Sequence, residues 1–392
     1  MTITLRAGVL NSGIQQNSTE FITIDTSSNA TLANNLAVTG SVTTTATVNT
    51  TLTANTTFTI PVGTTLQRPS APVTGMMRLN STTGFSEYYN GTSWVSVVGS
   101  GPALTQKAIF GYGTTGANVS VTNLVSNTGV VANDVTGVGT ARQSLAAAGY
   151  GADKAIFGYG NTPAYVSMTN LVSNLGVVAN DVTGVGTIRS NLAAAGYGTD
   201  KAIFGYGYTG VAVSMTNLVG NTGVVSTDVT GVGTARHVPA AAGYGTDKAI
   251  FGYGSPVSPT YYSMTNLVSN TGVVSADVTG VGVVRRELAA AGYGTDKAIF
   301  GYGYSSTLSY LSMTNLVSNT GVVANDVTGV GTARSSLAAA GYGTDKAIFG
   351  YGYTGGGLSM SNLVSNTGVV STDVTGVGTA RYALAAAGFS LS

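Results

Sequence analysis

From about residue 105 to the C-terminus the chain is one unit written six times, and this repetition restricts the possible folds more than any single residue does. The phrase AAAGYGADKAIFGYG begins at Ala146, and AAAGYGTDKAIFGYG returns from Ala193, Ala240, Ala289 and Ala338. A second constant phrase, SMTNLVSNTGVVxxDVTGVGTAR, runs between them. Copies begin at Lys107, Lys154, Lys201, Lys248, Lys297 and Lys346, so the period is 47 residues three times and then 49 twice.

Within a unit, Ser144 to Ala148 and Lys154 to Phe157 are short apolar runs separated by the Gly/Asp-rich stretch Gly149–Asp153, which is a hairpin signal. Two more runs, Val166–Val172 and Val177–Val182, are bounded by Asn, Gly and Thr clusters. The pattern predicts four strands per copy, and no helical periodicity is long enough to place a helix. Four strands in a unit of this length read as one blade of a β-propeller.

The ends of the array fit a ring. The first copy opens at Gln106-Lys107 with no AAAGYG run before it, whereas the chain finishes on RYALAAAGFSLS, which is that missing run. A C-terminal strand completing the first blade would remove the two edges that an open array exposes. A strand beginning at an Arg, a hairpin, a strand ending in a Gly-rich pair and two outer strands together resemble kelch-type propellers over residues 106–392. GYG stands where kelch repeats carry a double glycine, and the outer-strand Trp is absent, so the resemblance is kelch-like. The expected fold is all-β, a six-bladed kelch-like β-propeller preceded by an extended β stalk and a small β-meander.

Sixteen Lys and Arg against fifteen Asp and Glu, with no basic run, leave no electrostatic footprint for nucleic acid. The lack of Cys removes disulfides, thiolate nucleophiles and Cys-based zinc sites together. The N-terminus, MTITLRAGVLNSGIQQNSTE, has no apolar signal-peptide core, and no segment is long and apolar enough to span a bilayer. Neither export by a signal peptide nor membrane insertion is expected.

From about Phe21 to Ile60 apolar positions alternate with Thr, Ser and Asn. One such chain carries only a thin apolar stripe, too little to bury alone, whereas three wrapped together would cover it. From Pro61 the texture changes to a small meander: Met76–Leu79, Phe85–Tyr89 and Ser93–Val98, with Asn90-Gly91 as a two-residue hairpin cue and Trp94 the single Trp. The stretch GTTLQRPSAPVTGMMRLNSTTGFSEYYNGTSWVSV, residues 63–97, resembles a module of bacteriophage tail-fibre and tailspike proteins, where it sits between a thin trimeric stalk and a receptor-binding head. The resemblance implies a virion-attachment segment at 1–25, a Thr-rich stalk at 26–60, a linking module at 61–100 and a propeller head at 101–392. It also implies a homotrimer in the phage tail, made in the host cytoplasm, its N-terminus held by other tail or baseplate proteins.

Most catalytic candidates fail on repetition. Asp134, Asp181, Asp228, Asp277, Asp326 and Asp373 recur in register, as do Arg142, Arg189, Arg236, Arg285, Arg334 and Arg381. A catalytic centre is one place, so these read as ties between strands or blades, where losing one buried partner costs about 3–5 kcal/mol. The Asp-Lys turns, such as Asp153-Lys154 and Asp200-Lys201, read as solvated tips. The GxGxxG matches at Gly111-Gly113-Gly116 and Gly205-Gly207-Gly210 open no helix. His237 is the lone His, without thiolate partners for a metal or a nucleophile elbow for a triad. Glu287, the one unrepeated acid of the array, follows Arg285-Arg286, which would neutralise it, so no carboxylate pair for glycoside cleavage is present. No enzyme activity, metal or cofactor is expected.

The copies differ in two places: the segment after each GYG and the residues directly after each repeated Arg. In a four-stranded meander both fall at one end, so the differences gather on one face. That face collects Tyr165, Tyr208, Tyr261, Tyr262, Tyr304, Tyr310, Tyr353 and Tyr382, with Gln143, Asn191, His237 and Arg286 around them. Rigid aromatics with polar neighbours on loops over a fixed scaffold are how recognition faces are built. The expectation is weak, non-covalent adhesion to host envelope glycan, strengthened by several heads per virion. A glycan depolymerase and a purely structural virion component are the competing expectations.

Overall fold

The computed structural model describes residues 60–97, 106–307 and 309–390, with the backbone of the short strands Ile14–Gln16, Thr19–Ile24 and Ala30–Leu32. The chain divides into two compact units, Met1–Gly99 and Ser100–Ser392. In the first, those three short strands pair antiparallel in chain order. The expected attachment segment and stalk otherwise lie outside the described residues. The described residues are all-β, with no α-helix among them and none long and apolar enough to cross a membrane.

Residues 60–97 carry a four-stranded sheet. Val62–Gly63 runs parallel to Met77–Asn80, and Phe85–Tyr89 and Trp94–Ser96 follow antiparallel. The Asn-Gly cue gives a longer connection than the two-residue hairpin expected. Tyr89 pairs with Trp94, and the Asn90 carboxamide oxygen accepts from the Thr92 and Ser93 amides, so an Asx turn closes a four-residue loop. The polar side of the sheet is the buried one. Glu87 accepts from Arg68 at 2.6 Å and Asn80 at 3.1 Å and lies 3.3 Å from Arg78, while Arg78 also donates to the Thr64 and Gln67 carbonyls. Among the described residues of this module no apolar side chain is buried.

The second unit holds six three-stranded antiparallel sheets. In the second of them Ala146–Tyr150 pairs with Lys154–Asn161, which pairs with Tyr165–Val172. The third starts at Ala193, the fourth at Ala240, the fifth at Ala289 and the sixth at Ala338, each in the same register. The first is assembled from both ends of the repeat array: Ala385–Phe389 pairs with Lys107–Gly111, which pairs with Thr122–Val125. The strand beginning with AAAGY or AAAGF is innermost in every sheet, and each packs against the innermost strands of two neighbours in a cyclic order that returns from Ala385–Phe389 to Ala146–Tyr150.

The predicted fourth strand is reduced to two isolated bridges per sheet, such as Val172 to Val178 and Thr169 to Val182. The reason is a side chain. Asn170 donates to the Ala179 carbonyl, a main-chain acceptor that a continuous ladder would use, and to the Asp181 carboxylate. The inner strand likewise starts four residues after Arg142, not at it, and runs through Gly149-Tyr150, so that only Gly151–Asp153 form the turn.

Cores form between sheets. Tyr159 of the GYG phrase packs edge-to-face on Phe204 of the following sheet at 5.1 Å, and the same contact recurs from Tyr112 to Phe157 and from Tyr351 back to Phe110. These tyrosines adopt positive φ, 62° at Tyr159, at a bulge where the ladder shifts register. Burial of the ring and a hydrogen bond from its hydroxyl to the Val185 carbonyl hold the unfavourable backbone. Burial pushes the Tyr159 phenol up to about 12, against the opposing effect of Arg189.

The repeated Arg and Asp are the ties that their recurrence implied. Arg142 is fully buried over the Tyr112 ring at 4.3 Å and donates to the Tyr159 carbonyl, the Thr140 carbonyl and the Asn170 side chain. Asp181 accepts from the amide and hydroxyl of Thr140 and from Asn170. Each Arg therefore joins two consecutive sheets, and Arg381 does the same between the sixth sheet and the first by stacking on Tyr351 and donating to Tyr112 and Asn123.

Candidate ligand-binding face

The two variable segments of each unit are brought together by the main chain. The residue after each buried Arg forms an isolated bridge with the residue just past the following GYG: Gln143 with Asn161, Ser190 with Tyr208, His237 with Ser255, Arg286 with Tyr304, Ser335 with Tyr353 and Tyr382 with Thr114. Backbone atoms make these bonds, so side chains here are free to differ.

The next residue of each copy is left-handed, with φ of 54° at Ser144, 55° at Asn191, 49° at Val238, 56° at Glu287, 52° at Ser336 and 52° at Ala383. None is Gly, and Val238 is β-branched, where this conformation is rare. Their amides donate in sequence: Ser144 to Ala383, Ala383 to Ser336, Ser336 to Glu287, Glu287 to Val238, Val238 to Asn191 and Asn191 to Ser144. Six bonds of 2.7–3.2 Å thus close on themselves. They hold the strained backbone, and they floor a cavity of about 390 Å³ whose wall includes Gln143, Asn191, Glu287, Tyr353 and Tyr382.

The predicted aromatics fall into two runs along this face. Tyr165 is edge-on to Tyr208 at 6.2 Å, and Tyr208 is tilted against His237 at 5.2 Å. The longer run goes from Tyr261 to Tyr304 at 6.3 Å, Tyr310 at 5.6 Å, Tyr353 at 6.3 Å and Tyr382 at 4.8 Å. Tyr261 itself is buried, with the Arg286 guanidinium 5.1 Å above it, so it supports Arg286 and offers no open ring. Tyr262 follows it on the same strand, paired with Gly254 between two register shifts, and makes no ring contact with the run among the described residues.

Three chargeable side chains here have no counterpart in other copies: His237, Arg286 and Glu287. Arg286 Nε lies 3.2 Å from Glu287 Oε1, and Glu287 Oε2 accepts from the hydroxyls of Ser335 and Ser336, both at 2.9 Å. The pairing of Glu287 with Arg286 read from sequence is present. Burial, then the nearby Arg286 charge, hold the His237 imidazole below its ordinary value, so it is neutral at pH 7. The Tyr310 phenol is pushed up first by burial and then by Tyr353 and Glu287.

The arrangement offers aromatic edges and faces, one donor-acceptor ion pair and a polar-rimmed cavity. Sequence reasoning missed Glu287, Ser335 and Ser336 as members of this face. Glu287 was marked by being the unrepeated acid, whereas nothing in the sequence distinguishes Ser335 and Ser336 from other post-Arg residues. No family model matches the chain, and no curated protein matches it.

Proposed function

We propose that residues 106–390 form a closed six-bladed kelch-like β-propeller, and that it is the head of a bacteriophage tail fibre that adheres to host envelope glycan without chemistry. The cyclic packing of inner strands, the closed chain of six backbone hydrogen bonds and the Arg381 tie support the closed form. The single observation that carries the adhesive reading is the convergence of the copy-to-copy differences, by bridges, onto one face with a continuous tyrosine run. Tyr304, Tyr310, Tyr353 and Tyr382 are half-buried, and partly exposed tyrosines bind sugar rings through stacking and hydroxyl contacts.

The linking module supports self-association. One face of its sheet carries Val62, Met77 and Tyr88, exposed by 62, 50 and 38 %, while its other face is closed by the Glu87 network. A module without a buried apolar core requires a partner surface to be stable, and a homotrimer of this chain supplies one.

The test is adsorption. Phage carrying Tyr310→Ala and Tyr353→Ala in this chain are expected to adsorb at least ten times more slowly, and purified full-length chain is expected to compete with phage for host cells. Unchanged adsorption by a folded double variant would leave the structural-component reading; loss of surface polysaccharide on incubation with purified chain would establish the depolymerase reading.

A further inference from the structure

We infer that the head binds one saccharide, not six, at a single subsite where Arg286 and Glu287 grip a vicinal diol of a neutral sugar ring beside Tyr353 and Tyr382. This inference rests on the adhesive reading above and names its ligand chemistry and stoichiometry.

The first ground is the break in six-fold sameness. Every other Arg, Lys and Asp of the head has equivalents in other copies, whereas Arg286, Glu287 and His237 have none, and they fall on two adjacent copies. Six equivalent sites cannot be built from residues that occur once.

The second ground is preorganisation. Arg286 is fixed from below by Tyr261 at 5.1 Å and flanked by Tyr304 at 5.9 Å. Glu287 is fixed by two hydroxyls and by the closed hydrogen-bond chain through its own backbone. Both side chains remain about a quarter exposed, at 23 and 24 %. Among the described residues no side-chain hydrogen bond uses the Arg286 guanidinium; its Nε, buried, meets Glu287 Oε1 at 3.2 Å as an ion pair without hydrogen-bond geometry. A charged pair locked in position and still open to solvent has its ordering cost already met before ligand arrives.

The third ground is complementarity. A planar donor group beside an acceptor carboxylate matches two neighbouring hydroxyls: one accepts from Arg286 Nη, the other donates to Glu287. A sugar carboxylate could accept from Arg286, but Glu287 would repel it, and the pair leaves no net charge to attract an anion. Glu287 lines the same cavity as Tyr353 and Tyr382, which places aromatic surface within reach of the C–H face of the ring.

The experiment is calorimetric titration of the full-length chain with the methyl glycosides of glucose, galactose and mannose, their deoxy analogues lacking one hydroxyl of the diol, and the matching uronic acids. Expected are a stoichiometry of one per chain for at least one neutral glycoside and a tenfold or greater loss with either deoxy analogue. Arg286→Ala and Glu287→Gln should each lose tenfold or more, with circular dichroism unchanged, and the uronic acids should bind more weakly. If a variant loses its fold, Arg286→Lys, which keeps the charge but not the fork, is expected to show the same loss. Six sites per chain, tighter binding of the uronic acid, or full affinity in the folded variants would overturn the inference. If no glycoside binds while adsorption still depends on Tyr310 and Tyr353, the subsite falls and the adhesive reading stands; insensitivity of both would remove that reading as well.

Discussion

Replacing Arg381 with Ala tests whether the six sheets close into a ring. Arg381 is fully buried, donates to the Tyr112 carbonyl at 2.9 Å, the Thr379 carbonyl at 3.0 Å and Asn123 Oδ1 at 2.7 Å, and sits 4.2 Å from the centre of the Tyr351 ring. Its truncation leaves the Tyr112 and Asn123 acceptors without donors, about 1–3 kcal/mol each, and strips Asp134 of its cation. Removing one member of such a buried set costs about 3–5 kcal/mol in all. Arg189 has the same partners inside the array, at 2.9, 3.1 and 2.7 Å, over Tyr159 at 4.3 Å. In a closed ring the two positions are equivalent, so Arg381→Ala and Arg189→Ala should lose the same stability to within about 1 kcal/mol. In an open array the terminal unit has one neighbour and frays independently, so Arg381→Ala would barely move the main transition. Urea unfolding followed by circular dichroism, extrapolated linearly, gives both values. A loss below about 1 kcal/mol for Arg381→Ala beside a full loss for Arg189→Ala would refute closure.

Gly196 lies on the inner strand, where an added Cβ would stand 3.2 Å from the Gly149 carbonyl oxygen, and the equivalent contact recurs around the cycle to Gly388 against Gly341. Gly196→Ala should destabilise by about 1–3 kcal/mol in thermal unfolding, whereas Gly356→Ala, with open space around it, should be neutral. Val283 stands where other copies carry Thr, and Asp326 receives its amide but no hydroxyl, in contrast to the 2.6 Å bond from Thr234 to Asp277. Val283→Thr should therefore add about 0.5–1.5 kcal/mol, read as a higher urea midpoint. Burial raises Asp134, Asp181, Asp228, Asp277 and Asp373, but Thr and Asn hydrogen bonds outweigh it and hold them below 3.8. Depressed carboxyls stabilise above their unfolded value and lose that contribution as pH falls through the folded one, so unfolding midpoints should drop below about pH 4, less steeply in Asp181→Asn. Burial holds Tyr112, Tyr159, Tyr206, Tyr253 and Tyr302 at about 12. Raised phenols contribute fully below pH 10 and lose it as pH climbs through 12, so ultraviolet titration should show these five ionising only as the chain unfolds.

The unit, its six copies, the hairpin, the inner position of AAAGY and the role of the C-terminal strand were all legible in the chain, because each is a local pattern repeated in register. So were the ties made by the repeated Arg and Asp, since a charge that recurs six times at an apolar border has to be paired. The fourth strand was not, because Asn170 competes for ladder groups from another strand, and such competition is invisible in a run of alternating Val. The Asn90 loop was misjudged for a similar reason: its side chain, not the dipeptide, sets the turn length.

The sequence by itself determined what is repeated: strand periodicity and residue type act locally, so every copy must solve the same packing problem in the same way. Only the tertiary structure decided how the unrepeated residues meet. Bridges between segments roughly twenty residues apart, and left-handed residues bonded from one copy to the next, bring Arg286, Glu287, Ser335 and the tyrosine run from Tyr261 to Tyr382 together. Sequence spacing cannot encode that meeting, because it depends on how each sheet turns against its neighbour.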